Sequence, residues 1–324
     1  MGTAYLASKV LYTAAMLGLA DQLASGPKSA SELAPSLKAH APSLHRFMRT
    51  LASLGVLTER AGQRFELTGL GEAMRTGAPG CARSTIIVTN SSWFAGSIDD
   101  LIYSVQTGRT AFEKLLGLPV FDFLAKNPEE ASLFSEAMVG FHGEEPPAVA
   151  TAYDFSAFNT IVDVGGATGN MLAAILSRHS GLRGILFDRP YVVSDAQELL
   201  KAKGFSDRVL IEAGDFFRAV PPGGDAYILS HIIHDWSEAQ CLTILGHVRK
   251  AMKSDGRLLI VEMVLPPGDI PHPGKILDMV MLAAPGGQER TEEEYRLLLG
   301  NAGFRLTRVV PTASAASIVE ATLS

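Results

Sequence analysis

The chain has 324 residues, 47% of them apolar and 19% charged, which is an ordinary globular composition with ample material for a core. Its formal net charge of −6 provides no electrostatic attraction for nucleic acid. No apolar run reaches the roughly 18 residues that a membrane span needs, and no secretion signal is present, so we expect a cytoplasmic protein without membrane contact. The two cysteines, Cys81 and Cys241, suit a reducing compartment and cannot by themselves form a disulfide framework or a metal cluster.

Residues 1–80 predict a mostly helical, winged-helix domain. An apolar helix is predicted over residues 4–24, a second helix begins at the capping residue Ser29, and a third covers about 42–54. Two strand-like runs then flank residues 60–63, which indicates a hairpin. The segment carries eight basic and five acidic residues. A solvated basic face explains this mild excess as well as phosphate contact does, so dimerisation through the first helix is favoured over DNA binding.

Residues 81–150 predict a helical layer, and residues 151–324 predict a parallel α/β sheet. Large apolar side chains of the helical layer more often form a core, but a layer over a cofactor-binding sheet also suits a lid for an apolar substrate. The alternation of strand and helix signals begins after residue 158. Five strands are predicted to end at or near Asp163, Asp188, Glu212, Ser230 and Glu262. A final antiparallel pair, over 305–311 and 316–322, completes a Rossmann-like sheet of seven strands.

A glycine-rich turn, Asp163-Val164-Gly165-Gly166-Ala167-Thr168-Gly169, follows the first strand of this sheet. Glycine allows a tight turn and close approach of a ligand, and the helix that follows offers unpaired N–H groups. The dinucleotide fingerprint needs glycines at its first, third and sixth places, and neither Gly165 nor Gly166 as the start satisfies it. The turn therefore indicates a nucleotide-like ligand other than NAD, with a structural turn as the alternative for this motif alone.

Polar and aromatic residues follow the next two strands. Asp188 ends the second strand, where an acid can accept both hydroxyls of a ribose. Asp215 and Phe216 follow the third strand, where a carboxylate can accept a hydrogen bond from an adenine amino group and a ring can cover the adenine face. The ends of three strands thus offer contacts to one nucleoside.

His234 follows the fourth strand at the same edge of the sheet. Because a histidine titrates near pH ~6.5 and a phenol near ~10, a positioned imidazole would help a phenol oxygen to attack a methyl group. Either Glu262 or Glu289 could hold the imidazole tautomer and stabilise the imidazolium. For His234 the alternative is a structural role, and for Glu289 it is a capping role at the helix that begins near Thr291.

Several motifs together carry a family resemblance. In order they are Asp-Val-Gly-Gly-Ala-Thr-Gly, Phe-Asp-Arg-Pro, Gly-Asp-Phe-Phe, His-Asp-Trp-Ser-Glu, Val-Glu-Met-Val-Leu-Pro and Gly-Gly-Gln-Glu-Arg-Thr. Over nearly its whole length the chain resembles the S-adenosylmethionine-dependent small-molecule O-methyltransferases of the plant caffeic-acid and bacterial antibiotic-tailoring type.

The resemblance implies a methyltransferase sheet, an N-terminal winged-helix domain that forms a homodimer, a small aromatic acceptor and no metal. It implies that His234 is the general base, flanked by Glu262 and Glu289. The expected contacts of S-adenosylmethionine are Asp163, Gly165, Gly166, Asp188, Asp215, Phe216 and Ser230. The residues expected near the acceptor are Phe134, Met138, Val280 and Met281.

The chain departs from the family pattern in a few places. Plant members often carry a lysine where this chain has Ser230, so we expect a weaker or different cofactor contact there. The chain starts almost directly in the first dimerisation helix, so the upstream segment of many relatives is expected to be short or missing.

The resemblance also gives the expected domains and the competing functions. The expected division is a dimerisation domain over 1–80, a helical linker and substrate lid over 81–150, and a catalytic domain over 151–324. The leading function is methyl transfer to a phenolic hydroxyl. One alternative is a family member that retains the cofactor site but catalyses decarboxylation, hydroxylation or cyclisation. The methyl group could also be transferred to nitrogen instead of oxygen. A further alternative is a regulator that binds DNA through the winged helix.

Overall fold

The computed structural model describes residues 2–80, 82–190 and 192–324, so Cys81 lies outside the described residues. The chain forms two compact units: one comprises Met1–Asp99 and Phe112–Gly143, and the other comprises Asp100–Ala111 and Glu144–Ser324. The three-part division at residues 80 and 150 stays a prediction. Within the described part of the chain, no helix is both long and apolar enough to span a membrane.

The N-terminal part of the first unit has a winged-helix arrangement, as predicted. In chain order it contains α1 (Ala4–Leu17), α2 (Leu19–Leu23), β1 (Lys28–Ser29), α3 (Ala30–Leu37), α4 (Ala41–Ser53), β2 (Leu57–Arg60), β3 (Arg64–Leu67) and α5 (Gly69–Glu72). The strands pair antiparallel in the order β1-β3-β2. Ser29 caps α3 through a capping box with Glu32, as its spacing predicts.

The prediction of one helix over residues 4–24 is wrong. Gly18 adopts a left-handed conformation with φ 62° and ends α1, and α2 starts at the next residue. The N–H of Gly18 bonds to the carbonyl groups of Ala14 and Ala15. Glycine reaches this conformation without the strain that a Cβ causes, so it is a common end point of a helix.

The middle of the chain is helical, as predicted. Its helices are α6 (Ala82–Asn90), α7 (Ser92–Asp99), α8 (Leu101–Thr107), α9 (Ala111–Leu116), α10 (Val120–Lys126), α11 (Pro128–His142) and α12 (Glu145–Ala152). Of these, α8 and α12 belong to the second unit. In the first unit, Trp93 lies at the centre of an aromatic cluster whose other members are Phe94, Phe112, Phe123 and Phe134.

The second unit is built on an α/β sheet that has seven strands among the described residues, as predicted. Its further elements are β4 (Thr160–Val164), α13 (Asn170–Arg178), β5 (Arg183–Asp188), α14 (Val193–Ala202), β6 (Val209–Ala213), β7 (Ala226–Ser230), α15 (Glu238–Ala251), β8 (Arg257–Glu262), α16 (Pro273–Ala283), α17 (Glu292–Asn301), β9 (Phe304–Pro311) and β10 (Ser317–Leu323). The strand order is β6-β5-β4-β7-β8-β10-β9. Strands β4 to β8 pair in parallel, whereas β10 is antiparallel to both β8 and β9.

Both faces of this sheet are buried, because helices pack on each side. Along β4, Ile161 belongs to one apolar core cluster and Val162 to the other, as the alternation of side chains along a strand requires. The strand order reverses between β4 and β7. Open α/β sheets bind ligands in the crevice at the carboxyl ends of the strands next to such a reversal. The glycine-rich turn after β4 and His234 after β7 both lie at this place.

Candidate active site

His234 lies in a short 3-10 turn, Ile233–Asp235, which follows β7; we name it the His234 turn. The imidazole is almost fully buried, and its Nδ1 lies 2.6 Å from Oε1 of Glu289. An ionised carboxylate only accepts hydrogen bonds, so Nδ1 carries the proton in this pair and Nε2 keeps its lone pair. Oδ1 of Asp235 lies 3.7 Å from Nε2.

Glu262, the last residue of β8, binds the backbone of the His234 turn. Its Oε1 accepts a hydrogen bond from the backbone N–H of His234 at 3.0 Å, and its Oε2 accepts one from the hydroxyl of Tyr295 on α17. The sequence left open which carboxylate holds the imidazole. In the structure Glu289 contacts the ring and Glu262 contacts the main chain.

The loop between α16 and α17 brings Glu289 to the imidazole. A Cβ on Gly287 would lie 1.9 Å from the carbonyl oxygen of His234, so only glycine permits this close approach of two backbones. The N–H of Glu289 donates to Oδ1 of Asp278 on α16 at 2.8 Å. Glu289 is therefore fixed by the fold on both its main-chain and side-chain sides.

The side chain of Arg290 joins the same loop to the His234 turn through hydrogen bonds. It is only 2% exposed. Its Nη1 donates to the carbonyl oxygens of Ile233 (3.3 Å) and Gln288 (3.2 Å), and its Nη2 lies 3.7 Å from Sγ of Cys241. A buried guanidinium needs hydrogen-bond acceptors and nearby negative charge, and this site supplies carbonyl oxygens and carboxyl groups.

The site concentrates negative charge in a buried environment. Burial raises the pKa of Glu262; the charge of His234 lowers it, the charge of Glu289 raises it, and hydrogen bonds from Tyr295 and His234 lower it. Burial also raises the pKa of Asp235 well above its usual value, and the charges of Glu262 and Glu289 raise it further. Perturbed carboxyl groups around one histidine are typical of an acid–base site.

The glycine-rich turn packs so closely against neighbouring side chains that it has no room for a Cβ at Gly165 or Gly166. Gly165 has φ +73°, and a Cβ on it would lie 2.3 Å from Cδ1 of Ile232. A Cβ on Gly166 would lie 2.7 Å from the carboxylate of Asp163, which is packed beneath the turn. Neither carboxylate oxygen of Asp163 has a partner at hydrogen-bonding geometry among the described residues. Burial and the charge of Asp188 raise the pKa of Asp163 to about 7, partly offset by the nearby N–H of Leu172.

The other predicted nucleoside contacts lie at the same edge of the sheet. Asp188, at the end of β5, accepts from the N–H groups of Ala167 (2.9 Å) and Arg189 (2.7 Å), which orient its carboxylate. Phe216 lies beside the turn: its Cε1 would be 3.8 Å from a Cβ on Gly165. Asp215 accepts from the N–H of Phe217 at 2.9 Å.

Two further features belong to the edge where β7 ends. Ser230 is the last residue of that strand and is half-buried. His231 follows it with a left-handed backbone (φ 53°), and its Nε2 lies 2.5 Å from Oε2 of Glu145 on α12. A second histidine–carboxylate pair thus lies next to the His234 turn, with the two imidazole centroids 5.1 Å apart.

The residues predicted near the acceptor lie in both units. Val280 and the buried Met281 are on α16, the helix that also carries Asp278. Phe134 and Met138 are half-buried on α11 of the first unit. Their place beside an acceptor stays a prediction.

Sequence reasoning missed Tyr295, Arg290, Gly287 and Asp278 as parts of this site. Arg290 and Gly287 stand in the motif that carries Glu289, so their position was a usable signal. Tyr295 has the spacing of an ordinary core residue of α17, and nothing in a single sequence distinguishes its buried hydroxyl from an apolar ring.

Comparison with known proteins gives the family. The chain matches the O-methyltransferase dimerisation domain over residues 2–77 and the O-methyltransferase domain over residues 98–305. It is 46% identical over 321 residues to the phenazine O-methyltransferase PhzM of Lysobacter antibioticus, covering 99% of this chain and 94% of that protein. The crystal structure of LaPhzM matches with a TM-score of 0.96 at 45% identity, covering 100% of this chain and 97% of that one.

Two further relatives bear on cofactor and chemistry. The O-methyltransferase NcsB1 from neocarzinostatin biosynthesis, solved with S-adenosylmethionine and a hydroxynaphthoic acid, has a TM-score of 0.84 at 30% identity, covering 98% and 96% of the two chains. Aclacinomycin 10-hydroxylase RdmB of Streptomyces purpurascens is 34% identical over 301 residues, covering 91% of this chain and 80% of that protein. The resemblance predicted from the motifs and the predicted cofactor are both confirmed. The chain belongs to the O-methyltransferase family and is an S-adenosylmethionine-dependent O-methyltransferase of the antibiotic-tailoring and phenazine type, with a dimerisation domain at its N-terminus.

Proposed function

We propose that the enzyme methylates a hydroxyl group of a small phenolic metabolite and that His234 is the general base. The 2.6 Å contact between Nδ1 of His234 and Glu289 carries this proposal. It directs the protonated nitrogen to the carboxylate and leaves Nε2 to accept the proton of a hydroxyl. S-adenosylmethionine supplies the methyl group from a sulfonium centre when it is bound.

The chain's own residues then have distinct tasks. Nε2 of His234 takes the hydroxyl proton as the oxygen attacks, and Glu289 stabilises the imidazolium that forms. Glu262 holds the main chain of the His234 turn and adds a second negative charge. General-base catalysis of this kind contributes about 10²–10⁴-fold, and positioning of the two reactants supplies much of the rest.

The residues at the ends of β4, β5 and β6 fit the cofactor. The turn carries no side chain at Gly165 and Gly166, so a ligand can approach its backbone closely. The oriented carboxylate of Asp188 suits the ribose hydroxyls, and the ring of Phe216 beside the turn suits the adenine face. We assign Asp163, Asp215 and Ser230 to the same site.

The names of relatives indicate the acceptor, and exposed apolar residues of α1 indicate a dimer interface. One relative is named for phenazines and another was solved with a naphthoic acid, so we assign a flat aromatic acceptor to this enzyme, close to Val280 and Met281. Tyr5, Leu6 and Met16 are at least half exposed on α1, an apolar surface that a dimer interface through the N-terminal domain would cover.

The second candidate is a reaction other than methylation at the same cofactor site. The relative named as a hydroxylase shows that family members are not all named for methyl transfer. The buried set of His234, Glu262 and Glu289 favours methyl transfer, because an imidazole oriented by a carboxylate can remove the proton of the attacking hydroxyl.

The test combines product analysis with one substitution. We expect incubation with S-adenosylmethionine and a panel of hydroxyphenazines, hydroxynaphthoates and simple phenols to give a product heavier than its acceptor by one CH₂. His234→Ala should lower kcat by about 10²–10⁴-fold while calorimetry shows unchanged affinity for S-adenosylhomocysteine. His179→Ala is the control, since His179 follows α13 at the opposite edge of the sheet and should leave kcat within about twofold.

Unchanged turnover of His234→Ala would remove His234 from the mechanism. A product without the added CH₂ from every acceptor would establish the second candidate instead.

A further inference from the structure

Tyr295 is a buried tyrosine whose hydroxyl touches the proposed catalytic machinery. It lies on α17, four residues after Thr291, which caps that helix. The ring is fully buried, and the hydroxyl donates a hydrogen bond to Oε2 of Glu262. The other oxygen of Glu262 accepts from the N–H of His234. One carboxylate thus connects Tyr295 to the residue that removes the proton.

We propose that Tyr295 is a positioning residue for methyl transfer: its hydroxyl keeps Glu262 ionised and oriented, so that Glu262 can hold the His234 turn and stabilise the imidazolium. The proposal rests on the proposed role of His234 as the base. Tyr295 is 61 positions from His234 in the sequence, and its helix carries no catalytic motif.

The burial of Glu262 is the first reason. A carboxylate that is fully removed from water needs hydrogen-bond donors to remain ionised, and only two are described for Glu262: the hydroxyl of Tyr295 and the N–H of His234. Both lower the pKa of Glu262 against the effect of burial. Loss of one donor would leave the buried charge half satisfied.

The direction of the hydrogen bond is the second reason. Burial and the charge of Glu262 raise the pKa of Tyr295 well above that of a free phenol. The proton therefore stays on Tyr295, and Glu262 accepts. The other ionisable groups that face this pair are His234 and Asp235 from the His234 turn, Glu289 and Arg290 from the loop, and Cys241 from α15. Of these only Arg290 and protonated His234 are positive.

Tyr295→Phe should shift the dependence of kcat on pH in a defined direction. This change removes one oxygen and keeps the ring that fills the core. Without the hydroxyl, a proton binds Glu262 more readily, and the form with Glu262 protonated lacks part of the stabilisation of the imidazolium. We expect kcat to fall about tenfold at its optimum and the acid limb of the kcat–pH profile to move to higher pH. Affinity for S-adenosylhomocysteine should not change.

A double-mutant cycle tests whether Tyr295 acts through Glu262. Glu262→Gln removes the charge and keeps a side chain of the same shape. If Tyr295 works through that charge, Tyr295→Phe should lower kcat about tenfold in the wild-type background and less than about twofold in the Glu262→Gln background. Equal losses in both backgrounds would overturn the proposal.

Tyr227→Phe is the matched control. Tyr227 is also a fully buried tyrosine of the same unit, and its hydroxyl donates to the carbonyl oxygens of Pro221 (2.8 Å) and Ala251 (3.0 Å) instead of a carboxylate. Its removal should lower the thermal stability and leave the pH profile in place. A Tyr295→Phe enzyme that behaved like Tyr227→Phe, less stable but with an unshifted acid limb, would show that Tyr295 is structural only.

The experiment uses the full-length enzyme and the acceptor of the panel that turns over fastest. If Tyr295→Phe has no effect while His234→Ala is inactive, the proposal for Tyr295 fails and the proposed function stands. If His234→Ala keeps full turnover, the proposed function itself fails.

Discussion

Gly287→Ala tests how far turnover depends on the position of the loop between α16 and α17, because it leaves the side chains of His234 and Glu289 unchanged. The added Cβ would lie 1.9 Å from the carbonyl oxygen of His234 and 2.6 Å from both C of Asp235 and N of Trp236. All three are main-chain atoms, so no rotamer change can relieve the collision. An ordinary contact needs about 3.4 Å, so the loop and the His234 turn must separate by about 1.5 Å.

That movement exceeds what the hydrogen bond between His234 and Glu289 can absorb. A 2.6 Å contact that lengthens by the same amount is no longer a hydrogen bond. Misplacement of a catalytic group by about 1 Å costs on the order of 10²-fold in rate, and forced overpacking costs about 1–3 kcal/mol of stability. We therefore expect Gly287→Ala to lower kcat about 100-fold and to lower the free energy of unfolding by about 1–3 kcal/mol.

The assay is kcat with the best acceptor, thermal unfolding, and calorimetric affinity for S-adenosylhomocysteine, which should be retained. Gly246→Ala provides the control, because Gly246 lies within α15 with nothing within 4 Å of an added Cβ. That variant should keep full activity and gain up to about 1 kcal/mol in stability. Turnover of Gly287→Ala within threefold of wild type would refute the reasoning, since the loop could then retreat without displacing Glu289.

Two further predictions concern the cofactor side of the site. Gly165→Ala should weaken S-adenosylhomocysteine binding at least tenfold, because an alanine is strained at φ +73° and its Cβ would lie 2.3 Å from Cδ1 of Ile232, which displaces the turn. Gly181→Ala, with open space around the added Cβ, should bind normally. Equal affinities of the two variants would contradict a role of the turn in binding. Asp163→Asn should raise thermal stability more at pH 8 than at pH 4. Burial raises the pKa of Asp163 to about 7 in the folded wild-type protein. In the unfolded chain the same carboxyl loses its proton near pH ~4. Between pH ~4 and ~7 the unfolded chain is therefore favoured, and the free energy of unfolding of the wild type falls by up to about 2–4 kcal/mol. A gain that does not depend on pH would contradict this.

The sequence predicted the sheet well because its signals are local. Each parallel strand is a short apolar run that ends at a polar residue, and the predicted strands at Ala226–Ser230 and Arg257–Glu262 have the observed bounds. The break of the first helix at Gly18 was missed, since an isolated glycine within an apolar helical pattern is often tolerated.

The candidate site was predictable only as far as its motifs reach. His234, Glu262 and Glu289 could be named from the sequence, but not which carboxylate meets the ring, because Glu289 is 55 positions from His234 and their contact depends on the loop at Gly287. The hydroxyl of Tyr295 and the buried guanidinium of Arg290 were not predictable in their roles. Their partners are fixed by tertiary packing, and the spacing of both residues is also that of structural residues.

The charge balance of the buried site explains why the proposed base needs so many partners. With neutral His234, the carboxyl groups of Asp235, Glu262 and Glu289 face one buried cation, Arg290, and burial of this acidic excess raises the pKa of both Asp235 and Glu262. When His234 takes a proton, the site gains the positive charge it lacks. Fixed carboxylates therefore favour the state in which the proton has left the acceptor, and they do so without reorganisation at the moment of transfer. On this view the donors to Glu262 and the loop at Gly287 serve catalysis by keeping that negative charge in place before the acceptor arrives.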